Sequence, residues 1–175
     1  MKLAFYLLLI LAAFKVSSSG SDLITESCKE ASKEDPNISY AFCVASFVAM
    51  IPSPPSSVEE LVAMTIQMTK SKATNVVYTI SILLKDHLFS DYAKKCLKDC
   101  SDHYLDSLSD LGDALGAFRS KDFNSATAKI SAAMGVSVTC EDQFKEGKEK
   151  SPLTDDNKVY FELNAMSQAF LKMHK

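Results

Sequence analysis

Tryptophan is absent from these 175 residues, glycine occurs only five times and histidine three times. So few glycines leave no Gly-rich loop to cradle phosphates and no Gly-x-Ser-x-Gly turn to expose a nucleophilic serine. No His-Glu-x-x-His pair is present, and His87, His103 and His174 are scattered through the chain. No cluster of Lys and Arg appears, and the net charge is −3. A mildly acidic chain of this kind is a poor ligand for nucleic acid or an anionic membrane. The shortage of glycine, with Ala, Leu, Ser and Lys abundant, favours helix over strand. These absences predict an all-α binding protein, not an enzyme, with no catalytic residues, no cofactor and no metal.

The chain starts with Lys2, then an apolar run from Leu3 to Phe14, then the small residues Ser17, Ser18, Ser19 and Gly20. That order is the signature of a secretory signal peptide, assigned to residues 1–20 with cleavage between Ser18 and Ser21. The apolar run is shorter than the roughly 20 residues that cross a bilayer. Later apolar runs are broken by Lys, Asp or Glu within a few residues. The mature chain, 21–175, is expected to be secreted as one domain, with no membrane contact after cleavage. Losing Lys2 and Lys15 with the leader makes it more acidic by two charges.

Residues 22–51 read as a helical hairpin around Asp35-Pro36-Asn37, with Pro36 opening the second helix. Ile51-Pro52-Ser53-Pro54-Pro55-Ser56 is a linker, because its prolines exclude helix and sheet alike. Four long helical patterns then fill 57–175. The first opens at the capping box Ser57-Val58-Glu59-Glu60 and runs to about Lys85. The second runs from Asp91 to about Arg119 with the stripe Leu97, Cys100, Tyr104, Leu108, Leu111, Leu115, Phe118. The third follows Ser120-Lys121-Asp122 and ends near Glu146, with the stripe Ala126, Ile130, Ala133, Ser137, Cys140, Phe144. The fourth starts near Thr154 and shows Val159, Leu163, Met166, Phe170 and Met173. Four amphipathic helices on short connections bury their stripes most simply as an up-and-down antiparallel four-helix bundle.

Five cysteines is an odd number for an oxidising compartment. Cys100 lies near the start of the second bundle helix and Cys140 near the end of the third. Those ends meet in an antiparallel pair, so a Cys100–Cys140 bridge is expected. Cys28 and Cys43 flank the Pro36 break and are placed to close the hairpin. Loop entropy assigns roughly 3 kcal/mol to the shorter loop and about 4 kcal/mol to the longer one. Cys96 remains as the free thiol. Cys96, Cys100 and His103 share a helix face at metal-ligand spacing, but a Cys100 disulfide removes one of the three ligands. Asp106, Asp110 and Asp113 recur at helical spacing and read as a solvated face. Asn37-Ile38-Ser39 is an N-glycosylation sequon at the hairpin turn.

The segments Asp22-Leu23-Ile24 through Cys28, Pro36-Asn37-Ile38-Ser39-Tyr40-Ala41-Phe42-Cys43, Leu97-Lys98-Asp99-Cys100 and Val138-Thr139-Cys140-Glu141-Asp142 together resemble the plant invertase and pectin methylesterase inhibitors. The likeness spans essentially the whole mature chain and is strongest to the pollen-type proteins described as invertase inhibitors. It implies a four-helix bundle behind an N-terminal hairpin, located in the apoplast or the vacuole. It also implies action by stoichiometric complex with cell-wall or vacuolar invertase, or with pectin methylesterase. In the family, invertase inhibitors insert the connection between the second and third bundle helices into a carboxylate-lined cleft. Pectin methylesterase inhibitors present helix faces instead. The likeness therefore makes Lys121, Asp122, Phe123 and Asn124 the target-contact candidates. The family's Pro-Lys-Phe motif is absent there, since the positions read Asp122-Phe123-Asn124-Ser125. A bundle that has lost inhibition and serves as a secreted binding module is the alternative reading.

Overall fold

The computed structural model describes residues 20–48 and 54–174. The leader up to residue 19, and the linker residues 51–53, lie outside them. Among the described residues six helices follow in order: α1 (20–34), α2 (Tyr40–Val48), α3 (Val58–Leu83), α4 (Asp91–Arg119), α5 (Phe123–Glu146) and α6 (Thr154–His174). Helix α3 packs on α4 and α6, and α5 packs on the same two, which closes a four-membered ring. The described residues contain no helix long and apolar enough to cross a membrane.

Local chemistry sets where these helices start. Ser57 accepts a hydrogen bond from the Glu60 amide at 3.2 Å and Ser90 accepts one from Ala93 at 3.0 Å, each an N-cap satisfying an otherwise orphaned donor. The capping box is displaced by one residue from the expected form. Glu60 reaches back to the amide and hydroxyl of Ser56, not to the Ser57 amide. Pro36 also differs from expectation: it sits in the turn, and α2 opens only at Tyr40. There Asp35 Oδ1 accepts from both the backbone and the side-chain nitrogen of Asn37, a local bond that stabilises the turn.

Gly20, placed at the end of the leader by the sequence, is already helical and buried. A Cβ there would lie 2.8 Å from Pro54 Cβ, so the close approach of the linker calls for glycine. Gly147 has a similar reason. Its φ is an ordinary −77°, but a Cβ would meet the Tyr92 ring at 1.9 Å.

The stripe read for α5 is buried at all six positions. On α4, Leu108 and Leu115 are only partly buried, and the small residues Ser107 and Ala114 take the interior positions. Helix α6 departs furthest from the one-sided pattern. Val159 and Met173 are half-buried, whereas Asn157, Tyr160, Glu162, Asn164 and Ser167 are buried beside the expected Leu163, Met166 and Phe170. The reason is that α6 is covered from two sides. The bundle takes one face, and the hairpin takes another through Phe47, whose ring lies 5.8 Å from that of Phe170. The Glu162 carboxylate accepts from the Ser39 amide at 2.7 Å, placing negative charge at the N-terminus of α2.

Cys28 is bonded to Cys43 with Cα atoms 5.7 Å apart, and Cys100 to Cys140 at 5.3 Å. Cys96 is buried and unbonded, and burial pushes its thiol pKa up, against the opposing hydrogen bond from Tyr92. Next to the second bridge, a polar chain that runs from the buried Tyr104 and Asn157 out to the exposed Thr154 ties three helices. The Tyr104 hydroxyl donates to Asn157 Oδ1, Asn157 Nδ2 donates to Glu141 Oε1, and the Thr154 hydroxyl donates to Glu141 Oε2. Tyr104 also meets the Tyr160 ring edge-on at 4.9 Å, and burial raises its phenol pKa far above the ordinary value. A Tyr104→Phe variant keeps the packing but strands the Asn157 oxygen. Urea unfolding is expected to show a loss of about 1–3 kcal/mol, with the slope unchanged.

Candidate functional site

Three residues, Ser120, Lys121 and Asp122, join two antiparallel helices of 29 and 24 residues. So short a connection leaves little conformational choice, and the local hydrogen bonds remove the rest. The Lys121 amide donates to the Phe118 carbonyl and the Asp122 amide to the Ala117 carbonyl, both at 2.9 Å. This double closure ends α4 with its last carbonyls satisfied, and it requires a left-handed residue between the two donors. Lys121 fills that place with φ 64°, a conformation costing a side-chain-bearing residue roughly 1–2 kcal/mol. The same closure ends α5, with Lys148 at φ 55°.

Asp122 also starts the next helix. Its Oδ1 accepts from the Ser125 amide at 3.1 Å and its Oδ2 from the Ser125 hydroxyl at 2.6 Å. Those bonds to Ser125, the hydroxyl's first, hold the carboxyl below the usual aspartate range. The four candidates therefore divide into two roles. Lys121 and Asn124 are exposed and directed to solvent, while Asp122 is occupied as a cap. Phe123 is half-buried, with its ring 6.0 Å from that of Phe118.

His174 completes this end of the bundle. Its ring meets Phe118 edge-on at 5.3 Å and Phe123 at 5.5 Å, so the last turn of α6 closes on both sides of the connection. A lone histidine next to the last residue of the sequence carries no sequence pattern, and only the meeting of three helix ends gives it a place. Arg119 and Lys121 leave two exposed cations on the same end.

Elsewhere, several charged groups are engaged in structure. Asp110 and Asp113 both pair with Lys129 across α4 and α5, at 2.8 and 3.0 Å. A groove of about 270 Å³ runs between α5 and α6 past Val138, Glu141, Asn157, Lys158 and Phe161. Both Glu141 oxygens in it are hydrogen-bonded, to Thr154 and Asn157, and so serve the packing of α6 on α5. Cys100 is in a disulfide, so the Cys96, Cys100, His103 trio cannot act as three metal ligands, and the described residues hold no other such group.

The α4–α5 connection is thus short, exposed and held by backbone and cap hydrogen bonds. Comparison with known proteins identifies the family. The family model for plant invertase/pectin methylesterase inhibitors matches residues 22–172, and the chain belongs to that family, whose members are inhibitors of enzymes and not enzymes themselves. It is 36% identical over 174 residues to a Platanus orientalis protein named "Putative invertase inhibitor", covering 99% of this chain and 98% of the relative. It is 34% identical over 157 residues to pectinesterase inhibitor 12 of Arabidopsis thaliana, covering 89% and 90%. Two crystal structures of Arabidopsis pectin methylesterase inhibitors share the fold. One, a mutant form, has a TM-score of 0.66 at 21% identity over 77% of this chain and 89% of its own. The other has 0.60 at 20% identity over 83% and 95%.

The cap makes a prediction about pH. Asp122 titrates lower in the folded protein than in the unfolded chain, so its contribution is present above the unfolded value near pH 4 and disappears as pH falls through the lower folded value. Asp122→Ala should lower the urea midpoint at pH 7, and Asp122→Asn, which keeps an acceptor, should lower it less. The gap between parent and Asp122→Ala should narrow as the pH falls from the unfolded aspartate value of about 4 through the lower folded value, read as midpoints across a pH series.

Proposed function

We propose that the mature chain is secreted and inhibits a plant acid invertase by stoichiometric binding through the connection between α4 and α5. The observation that carries this reading is the rigidity of the connection. Its backbone is fixed by the α4 closure and the Asp122 cap, with Lys121 and Asn124 left exposed. A surface already in its bound shape loses little conformational entropy on docking. Arg119 and Lys121 suit a partner cleft lined by carboxylates, where charge complementarity speeds encounter and fixes register. The invertase-inhibitor name of the Platanus relative favours the same target. The apoplast or the vacuole, where acid invertases act, is the compartment this reading requires.

Pectin methylesterase is the second reading, favoured by the Arabidopsis relative and by Val138, which is 47% exposed on the rim of the α5–α6 groove. One pair of variants separates the two. Lys121→Asn with Asn124→Ala removes both exposed contacts, and Asn tolerates the left-handed backbone that Lys121 occupies. The double variant should lose at least about tenfold in inhibition of acid invertase, about 1.4 kcal/mol, with unchanged helicity. Unaltered inhibition of pectin methylesterase alone would move the assignment to the helix faces. A parent protein that inhibits neither enzyme between pH 4.5 and 7 would leave a non-inhibitory binding module.

We also assign Asn37 as an N-glycan site. It is exposed at the hairpin tip, next to buried Ile38. Protein secreted from plant cells should shift to lower mass on glycan removal, and Asn37→Gln should abolish the shift.

A further inference from the structure

The connection is held from a direction its own residues do not supply. We propose that His174 is a positioning residue for the inhibitory connection, so that the last turn of α6 sets inhibitor strength without touching the target. This rests on the reading of the connection as the contact surface.

Phe123 is the first residue of α5 and Phe118 lies in the last turn of α4. Their rings are 6.0 Å apart at 48°, a loose tilted contact across the connection. His174 is nearer to each of them, at 5.3 and 5.5 Å, and meets both edge-on at 65° and 79°. Edge-to-face pairs in this distance range contribute about 0.5–1.5 kcal/mol each beyond the area they bury. Two of the three ring contacts around the connection therefore pass through α6. Phe118 is 3% exposed and anchored in the core. Phe123 is only half-buried, so its position depends on what covers it. Phe123 lies between the Asp122 cap and exposed Asn124. Loosening its ring releases the cap on one side and the contact residue on the other.

Removing the imidazole should therefore act locally. In the free protein, the amides of Lys121, Asp122, Ser125 and Ala126 report on the two closures of the connection. Their hydrogen exchange should speed up about tenfold in His174→Ala, while amides in the middle of α4 keep the parent rate. His174→Phe, which restores an aromatic edge, should return those amides to parent rates. Inhibition of acid invertase should follow the same order: weakened in His174→Ala and recovered in His174→Phe. Unchanged exchange at the four amides overturns the proposal, as does a uniform rise over all four bundle helices. Loosened amides with full inhibition overturn it too. A parent that fails to inhibit invertase defeats the functional reading instead, and the exchange data still decide whether His174 holds the connection.

Discussion

Joining α4 to α5 through three residues is the constraint on which the rest of the architecture depends. It fixes α4 and α5 antiparallel and in one register, because Asp122 must close α4 with its amide and cap α5 with its carboxylate. Once that register is set, Cys100 and Cys140 face each other near the opposite ends of the same pair. The pair is then pinned at both ends, by hydrogen bonds at one and a covalent bond at the other. Lys129 adds ion pairs to Asp110 and Asp113 between them, but exposed pairs of this kind contribute little.

The remaining elements assemble on that pair. Helix α6 starts beside the second disulfide, where Glu141 accepts from Thr154 and Asn157, and ends at the connection, where His174 meets Phe118 and Phe123. Its buried polar residues would be costly in the interior if left alone, and two of them find partners on other elements. Tyr104 satisfies the Asn157 oxygen, and Glu162 is matched by the start of α2. The hairpin thus packs on the bundle at a specific charge and a specific ring, Glu162 and Phe170, and its disulfide keeps both halves in place. The proposed contact residues Lys121 and Asn124 alternate along the chain with the structural residues Asp122 and Phe123. A connection that must satisfy two helix ends at once is rigid, and its unused side chains point outward.

Much of this was legible in the sequence. The helices α3 to α5 announce themselves by the capping box at Ser57 and by stripes spaced at three and four, while the caps at Ser90 and Asp122 emerge only from the hydrogen bonds. The antiparallel arrangement then chooses cysteine partners by elimination, leaving Cys96. Helix α6 resisted because Asn157, Glu162, Asn164 and Ser167 read as solvent-facing, and their burial follows only from a second covering layer. Ser107 and Ala114 displaced Leu108 and Leu115 from the interior because helices that approach closely need small residues where they touch. For the site, family resemblance located Lys121 to Asn124, but the division into two exposed and two structural residues needed the hydrogen bonds. His174 carried no signal at all, since its role arises from where three helix ends converge.

The central claim is that this bundle acts on its target through the fixed connection at residues 120–124. The most direct measurement is hydrogen–deuterium exchange of the whole protein, alone and in complex with acid invertase. The account predicts new protection over residues 119–126, with the α5–α6 groove exchanging as in the unbound protein. Protection confined to Val138, Glu141 and Lys158, with the connection unaffected, would contradict it.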